Sequence, residues 1–154
     1  MNMTELKEIN FYIREDEYGW LSNFWREEQI VDGLHYPTNE HYYQSQKANY
    51  SHNLQIHNWI KTAPNAYLAM CAGRSLRDGK EKREDWNVWR VHFMLKGLRA
   101  KFKNPELRQK LLDTENAVLH EDSATDMFWG KLGQDMLGKL LMQVREELKK
   151  SAED

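Results

Sequence analysis

The sequence predicts a mainly α-helical fold with a small β ribbon near its N-terminus, and three observations carry this prediction. Apolar residues recur at helical spacing through most of the second half of the chain. The alternation typical of strands is confined to the N-terminal part, where Asp32-Gly33 joins two short extended runs and indicates a hairpin. The chain has 154 residues, of which 40% are hydrophobic and 12% aromatic, which is enough for one core. We therefore expect a single domain over residues 1–154, with its core at about 9–149.

The strand predictions come first along the chain. Ile9, Phe11 and Ile13 alternate with more polar neighbours and predict one strand. The runs 29–31 and 34–36 predict the two arms of the hairpin. Between these elements, residues 18–25 form an aromatic-rich loop that lies just before the first helix.

The first helix is predicted to start after Pro37, which disfavours a helical conformation in the residue before it. Thr38 can accept a capping hydrogen bond, and from Asn39 nothing breaks a helix until about Tyr50. An inward-facing stripe of this helix carries polar groups where a core needs apolar ones. That mismatch indicates a functional site.

One face of this helix carries an acid, an aromatic ring, an amide and an amine. Glu40, Tyr43, Gln44 and Lys47 stand at i, i+3, i+4 and i+7, and a rise of about 1.5 Å per residue puts Glu40 and Lys47 about 10 Å apart. That length is close to that of a nucleoside, so the two could flank a ligand. The alternative is a solvated face, with the tyrosines making the core contact from an adjacent stripe.

Five more helices follow from periodicity and capping signals. The segment 54–60 is short and apolar, and Pro64 can begin a helix that runs to Ala72 with Gly73 as its C-terminal residue. A long helix begins near Asp85, and Asn104-Pro105 starts the next. The apolar stripes of the last three helices are Val91, Met94, Leu95, Leu98 and Phe102; Leu107, Leu111 and Leu112; and Leu137, Leu140, Leu141, Val144 and Leu148.

Composition narrows the classes of function. A net charge of -2 gives no electrostatic footprint that demands nucleic acid. The single cysteine, Cys71, excludes an internal disulfide and lies in an apolar run that predicts a buried small residue. The polar, acidic first residues do not form a signal peptide and no segment reaches membrane-spanning length, so we expect a cytoplasmic protein without a membrane partner. The six histidines show no paired ligand spacing, so no metal and no cofactor is expected.

Three further segments could hold chemistry. Trp86 falls off the stripe of its helix and faces either a pocket or the core. The loop 121–130 is rich in carboxylates and runs into two aromatic residues and Gly130, although such loops are often caps or solvent-facing turns. Gly133 and Gly138 flank the start of the last helix and could let backbone amides approach an anion, which a cap would explain equally well.

Taken together, these segments resemble the NADAR, or YbiA-like, family. The specific part is the Glu-His-Tyr-aromatic-Gln-x-Gln-Lys run from Glu40 to Lys47, which neither a core helix nor a generic acid–amine pair requires. The resemblance covers nearly the whole chain, at 9–12, 18–19, 22–24, 37–38, 40–47, 73–74, 85–86, 98–102, Thr114, Glu121, Asp126, 129–130 and 137–142.

The resemblance implies a mainly α fold and hydrolysis of a carbon–nitrogen bond between a ribose and a nitrogen base. Family substrates include phosphorylated ribosylamino-pyrimidine intermediates of riboflavin synthesis and ADP-ribose attached to guanine, including guanine in nucleic acid. Glu40 and Lys47 match the family's active-site glutamate and lysine, and Trp86 and Asp126 match pocket positions. Because bond cleavage builds positive charge on the sugar, Glu40 is expected to stabilise that charge or to activate water. Lys47 is expected either to hydrogen-bond the substrate or to form a Schiff base with the opened sugar.

The expected site therefore has a catalytic set and a larger binding set. Aromatic rings would stack on the base, Asn23 and Asp126 would orient ribose hydroxyls, and phosphate would meet Arg74 or the amides near Gly130 and Gly138. In a departure from the family's glycine-rich run, Asp135 stands where an amide is common and adds a negative charge near the expected phosphate. The catalytic set is Glu40, Lys47 and Asp126, and the substrate-binding set is Ser22, Asn23, Phe24, Tyr42, Tyr43, Gln44, Arg74, Trp86, Trp129 and Gly130.

Two other interpretations compete with a hydrolase of a nucleotide-like small molecule. A binding module would hold ADP-ribose or a nucleotide in the same aromatic pocket without cleaving it. A helical interaction protein would use the polar stripe to contact a partner and would bind no nucleotide. The presence of both Glu40 and Lys47 favours the enzyme.

Overall fold

The strands form two small sheets in a computed structural model that describes residues 6–48 and 54–153. Strand β1 (Glu8–Phe11) pairs in parallel with β4 (Val118–Glu121), in the register that places Ile9 opposite Leu119. Strands β2 (Gln29–Val31) and β3 (Leu34–Tyr36) form the predicted antiparallel hairpin. Its turn residues Asp32 and Gly33 have φ angles of 51° and 80°, the left-handed conformation that tight hairpin turns require.

Helices dominate the rest of the described chain, as the sequence predicts. The side chains of Thr38, Asn65 and Asn104 cap three of them by accepting backbone N–H bonds at the first turn. The helices are α1 (Asn39–Gln46), α2 (Leu54–Lys61), α3 (Ala66–Arg74), α4 (Trp86–Lys101), α5 (Pro105–Asp113) and α6 (Met136–Glu153), with a short 3-10 turn at Gly19–Leu21.

The described chain forms two compact units. The first joins the N-terminal residues up to Ser22 with the segment from Phe102 onward, and the second comprises Asn23–Lys101. In the first unit α6 packs on β4 and α5, which buries the predicted stripe of α6, including Leu137 and Leu141. These apolar contacts form the core of that unit.

In the second unit α1 is surrounded by α2, α3, α4 and β3. All eight residues from Asn39 to Gln46 are buried, although most of them are polar. The solvated-face interpretation of this helix is therefore wrong. Since buried polar groups need hydrogen-bond partners, the packing around α1 has to supply them.

Two predicted helix ends need correction. Helix α1 ends at Gln46 instead of near Tyr50, because the Lys47 carbonyl accepts the Arg83 N–H at 2.7 Å and Ala48 forms an isolated bridge with Lys82. Tyr50 itself lies outside the described residues. Gly73 does not end α3 but lies inside it, packed against α1.

Two further features of the structure differ from the sequence-based prediction. Strand β4 was not predicted, because its four residues carry no strong alternation and pair only with a distant strand. Cys71 is half-buried instead of buried, on α3 beside the Tyr67 hydroxyl.

Each helix of the described chain is too short or too polar to cross a bilayer.

Candidate active site

The first turn of α1 positions Glu40. Thr38 accepts the His41 N–H at 3.1 Å, and the Glu40 N–H donates to the Asn23 carbonyl at 3.0 Å. The carboxylate therefore lies at the positive end of the helix dipole, which stabilises its ionised form. The residue is only 7% exposed, and its Oε1 atom accepts a hydrogen bond of 2.7 Å from Gln44 Nε2. This is a buried carboxylate with a defined orientation.

The other end of α1 positions Lys47 above two aromatic rings. Its Nζ atom lies 5.5 Å from the centre of the Tyr43 ring and 5.9 Å from that of Trp86. The two rings pack at 5.1 Å, and Trp86 is buried. Such rings attract a cation through their negative faces. The face predicted from helical spacing is thus present, with Gln44 contacting Glu40 and Tyr43 contacting Lys47.

Arg83 and Phe93 also belong to this cluster, although neither is in the predicted binding set. Trp86 stacks on Phe93 with ring centres 5.9 Å apart and planes at 13°, and the Arg83 guanidinium lies 5.0 Å from the Phe93 ring centre. Arg83 Nε also donates to the Gln46 carbonyl at 3.4 Å. Phe93 lies two positions after Val91 on α4 and on the same face as Trp86, so following that face along the helix could have found it. Arg83 precedes α4 and lies outside any helix, so helical spacing does not place it in the cluster.

A buried amide network holds the start of α1. Asn39 Nδ2 donates to Asn23 Oδ1 at 2.8 Å, and Gln29 Nε2 donates to Asn39 Oδ1 at 2.9 Å. Asn23 Nδ2 in turn contacts Met94 Sδ at 3.6 Å. Both polar ends of the Asn23 side chain are therefore engaged within the protein. Its assignment as a substrate ligand stays a prediction, while its contact with α1 is structural.

Other predicted binding residues of this unit have different surroundings. Tyr42 packs in an apolar cluster with Val31 and Tyr36, edge to face with the Tyr36 ring at 5.2 Å. Its ring is therefore part of the core, and its assignment as a stacking residue stays a prediction. Arg74 is exposed at the end of α3, and Phe24 is half-buried next to Asn23. Their roles in binding stay predictions.

The first unit holds Asp126, Trp129 and Gly130. Asp126 Oδ1 accepts the Phe128 and Trp129 N–H groups at 3.0 and 2.8 Å, and its carbonyl accepts the Gly130 N–H at 3.0 Å. Trp129 is buried against Phe128, with ring centres 4.7 Å apart. The Gly130 amide is thus engaged in the turn that Asp126 organises. Ser22, also in this unit, is buried and donates its N–H to the Gly19 carbonyl.

Asp135, the departure from the family pattern, has a clear structural partner. Its Oδ2 atom lies 2.5 Å from His120 Nδ1, and the His120 Nε2 atom lies 3.4 Å from a Glu8 carboxylate oxygen. Asp135 has a φ angle of 55°, which aspartate tolerates better than most residues. The negative charge of Asp135 is therefore directed at His120.

The histidine of the motif is a structural residue. His41 Nε2 lies 2.9 Å from the Ala63 carbonyl, which can only accept, so this nitrogen carries the proton. Nδ1 then accepts from Thr38 Oγ1 at 2.8 Å. Burial lowers the pKa of His41, while the Ala63 contact acts in the opposite direction. A neutral imidazole fits these contacts and links α1 to the connection between α2 and α3.

Two clefts of the described chain have no predicted site residue in their lining. One, of about 580 Å³, is lined in the first unit by both charged and aromatic side chains, among them Lys7, Tyr18 and Lys110. The other, of about 370 Å³, is lined by residues of α2, of α3 and of the segments next to them, among them Pro64 and Ser75. Neither contains a residue of the catalytic or binding set. Within the described ranges, no group of three or more His, Cys, Asp or Glu side chains could hold a metal ion.

Comparison with known proteins gives consistent matches. The chain is 40% identical to the N-glycosidase YbiA of Escherichia coli, over 91% of this chain and 88% of that protein. It is 36% identical to N-glycosidase Npun_R5314 of Nostoc punctiforme, over 92% of each chain. It is also 36% identical to the riboflavin biosynthesis protein VVA0006 of Vibrio vulnificus, over 94% of this chain and 39% of that longer protein.

The fold agrees with these sequence matches. The NMR structure of E. coli YbiA superimposes with a TM-score of 0.86 at 36% identity, over 99% of this chain and 90% of that one. The model of the NADAR domain family matches residues 10–149. This span contains the Glu40–Lys47 run and the aromatic cluster around it. The chain belongs to the NADAR domain family.

Proposed function

We propose that this chain is an N-glycosidase that hydrolyses the bond between ribose and nitrogen in phosphorylated ribosylamino-pyrimidine intermediates of riboflavin synthesis. The observation that carries the proposal is α1, which buries a carboxylate at its start and places an ammonium on two aromatic rings at its end. Relatives named as N-glycosidases support the reaction type. Riboflavin biosynthesis proteins of Vibrio vulnificus and Zea mays that match the chain support this class of substrate.

The proposed mechanism follows from the positive charge that develops on the ribose during bond cleavage. As the bond from the sugar carbon to nitrogen breaks, its electron pair goes to the nitrogen and positive charge develops on the ribose. Glu40, ionised at the helix start, faces that charge and accepts a proton from the attacking water. The water oxygen bonds to the sugar carbon, and the leaving amine gains one proton, which balances the proton that Glu40 took from water and then releases.

Lys47 and its rings complete the proposed site. The ring faces stabilise Lys47 as an ammonium, which suits the phosphate or the leaving nitrogen. Trp86 and Tyr43 are proposed to border the pyrimidine, as the family resemblance implies. Asp126 and Trp129 are proposed to contact the substrate as the family resemblance implies.

The test is mass-spectrometric detection of the released base and sugar. Purified protein is incubated in parallel with a ribosylamino-pyrimidine phosphate and with ADP-ribosylated guanine, as nucleoside and in DNA. We expect the pyrimidine to be released by the wild type and not by Glu40→Gln, which keeps the shape of the side chain. Release of guanine alone would show that ADP-ribosylated guanine, and not the ribosylamino-pyrimidine phosphate, is the substrate. Binding without release from either substrate would favour the ADP-ribose-binding module.

A further inference from the structure

We infer that Gln44 is the positioning residue of this site, because it is wedged between α1 and α3 and fixes the orientation of the Glu40 carboxylate. The inference rests on the proposed function, since it concerns how Glu40 is made ready for the reaction. Gln44 would then act through Glu40 and not by direct contact with the substrate.

The first support is the contact of Gln44 with Glu40. Gln44 is only 3% exposed, and its Nε2 atom donates to Glu40 Oε1 at 2.7 Å. The two residues are one helical turn apart, so α1 itself sets their spacing. A hydrogen bond to an ionised acceptor is stronger than one between neutral groups, and it favours the ionised carboxylate.

The second support is the opposite end of the amide. Gln44 Oε1 is buried and has no hydrogen-bond partner among the described residues. It faces Gly73 of α3, where a Cβ atom would lie 2.0 Å from Oε1 and 2.8 Å from the Gln44 Cβ. Only glycine leaves room for the amide at this crossing. Gly73 therefore provides the space that Gln44 occupies.

The Glu40 carboxylate determines which way the Gln44 amide points. Leaving a buried acceptor unpaired costs stability, so burying Gln44 in this way needs a compensating gain. If the amide were reversed, its oxygen would face the oxygen of Glu40, and two acceptors would repel each other. The negative charge of Glu40 thus selects the orientation, and the wedge holds it. A carboxylate fixed in this way loses little orientational freedom when the substrate arrives.

The experiment compares kcat, KM and their pH profiles for the substrate that the wild type cleaves. Gln44→Met keeps the size of the side chain but removes the donor. We expect kcat to fall at least about tenfold with little change in KM, and the acidic limb of the kcat profile to move up by roughly one pH unit. Gln44→Glu places a second carboxylate beside Glu40, and the pair then shares a proton. Its acidic limb should move further than that of Gln44→Met.

A matched control is available on the same helix. Gln46 is also buried, and it contacts Tyr36 and Ser45. We expect Gln46→Met to leave the acidic limb in place. The inference is overturned if Gln44→Met keeps the wild-type kcat and acidic limb, or if Gln46→Met moves the limb as far. If Gln44→Met does not fold, Gln44→Glu, which keeps the shape of the amide, tests the inference instead. An acidic limb of its kcat profile at the wild-type pH would then overturn the inference.

The inference and the proposed function fail differently. A fully active Glu40→Gln variant would remove Glu40 from the mechanism and the role of Gln44 with it. An inactive Glu40→Gln beside an unchanged Gln44→Met would overturn only the positioning role.

Discussion

The ammonium of Lys47 lies 5.9 Å from the centre of the Trp86 ring, and this ring is stacked on Phe93. Trp86→Leu keeps an apolar side chain but removes the ring face and the stack. We expect a loss of kcat/KM of about tenfold or more, since a cation–π contact in a desolvated place contributes about 2 kcal/mol. The measurement is steady-state kinetics together with the urea midpoint, so that lost stability is separated from lost activity.

Trp89 provides the control for that prediction. It lies one turn further along α4, is 41% exposed and contacts the edge of His92. Trp89→Leu should keep the wild-type kcat/KM. Equal losses in the two variants would mean that α4 as a whole, and not the face beneath Lys47, supports activity.

The surroundings of Lys47 favour a charged role over a covalent one. Because ring faces stabilise the ammonium, we expect Lys47→Arg, which keeps the positive charge, to retain more activity than Lys47→Met. Borohydride added during turnover should leave the mass of the wild-type protein unchanged. A mass increase corresponding to a reduced sugar adduct, absent in Lys47→Arg, would instead establish the Schiff base.

Asp126 allows its structural and chemical roles to be separated. Asp126→Asn keeps an oxygen that can accept the Phe128 and Trp129 N–H groups, so thermal unfolding should change little. Asp126→Ala removes that acceptor and should cost about 1 kcal/mol, as loss of a comparable cap does. If the carboxylate orients the substrate, kcat/KM of Asp126→Asn falls clearly, and this is the outcome we expect. Wild-type kinetics in Asp126→Asn would mean that the only role of Asp126 is to stabilise the turn.

Gly97 is predicted to be essential for packing, although helix propensity alone favours alanine. A Cβ atom there would lie 2.2 Å from Asn39 Oδ1 and 2.6 Å from an atom of the Tyr42 ring. Gly97→Ala should therefore destabilise the protein by about 1–3 kcal/mol or more, which exceeds the gain of about 1 kcal/mol in propensity. Urea unfolding measures the difference, and an increase in stability would contradict the close packing of α4 on α1.

Lys101 gives a prediction about pH. Burial lowers the pKa of this lysine from 10.5 to about 7, with Glu27 acting in the opposite direction. Below about pH 7 the folded protein holds a buried charge, and between pH 7 and 10.5 the unfolded chain binds the extra proton, so stability rises with pH. Lys101→Met should thus stabilise the protein by a few kcal/mol at about pH 6 and by less at about pH 9.

That prediction is checked by urea unfolding at the two pH values. Lys103→Met, two residues further on, changes an exposed lysine and should show no such dependence. A stabilisation by Lys101→Met that is equal at both pH values would contradict the buried charge.

Much of the fold could be predicted because its signals are local. Thr38 and Asn104 cap helices where the sequence suggests, and the Asp32-Gly33 turn joins two strands. Pairing between distant segments could not be predicted in this way. The parallel partner of β1 lies more than a hundred residues further along the chain, and no local pattern marks it.

The candidate site shows the same division. Helical spacing identified the shared face of Glu40, Gln44 and Lys47, because these residues are neighbours on one helix. It could not identify Arg83, which reaches the cluster from outside any helix, or the core position of Tyr42. The sequence predicts Gly73 as a helix end, and helix propensity alone makes Gly97 a weak point of α4. At each of these positions a side chain of another helix leaves no room for a Cβ atom, and only the tertiary structure shows this.

The polar composition of α1 has a consequence for folding. A helix of eight residues with no apolar stripe has little tendency to form alone in water. Its neighbours α2, α3 and α4 supply the contacts that make it helical, so Glu40 and Lys47 acquire their spacing only as those helices close around them. We therefore expect that no partly unfolded form of this unit keeps the spacing of Glu40 and Lys47, so catalytic competence should appear and disappear together with its cooperative folding.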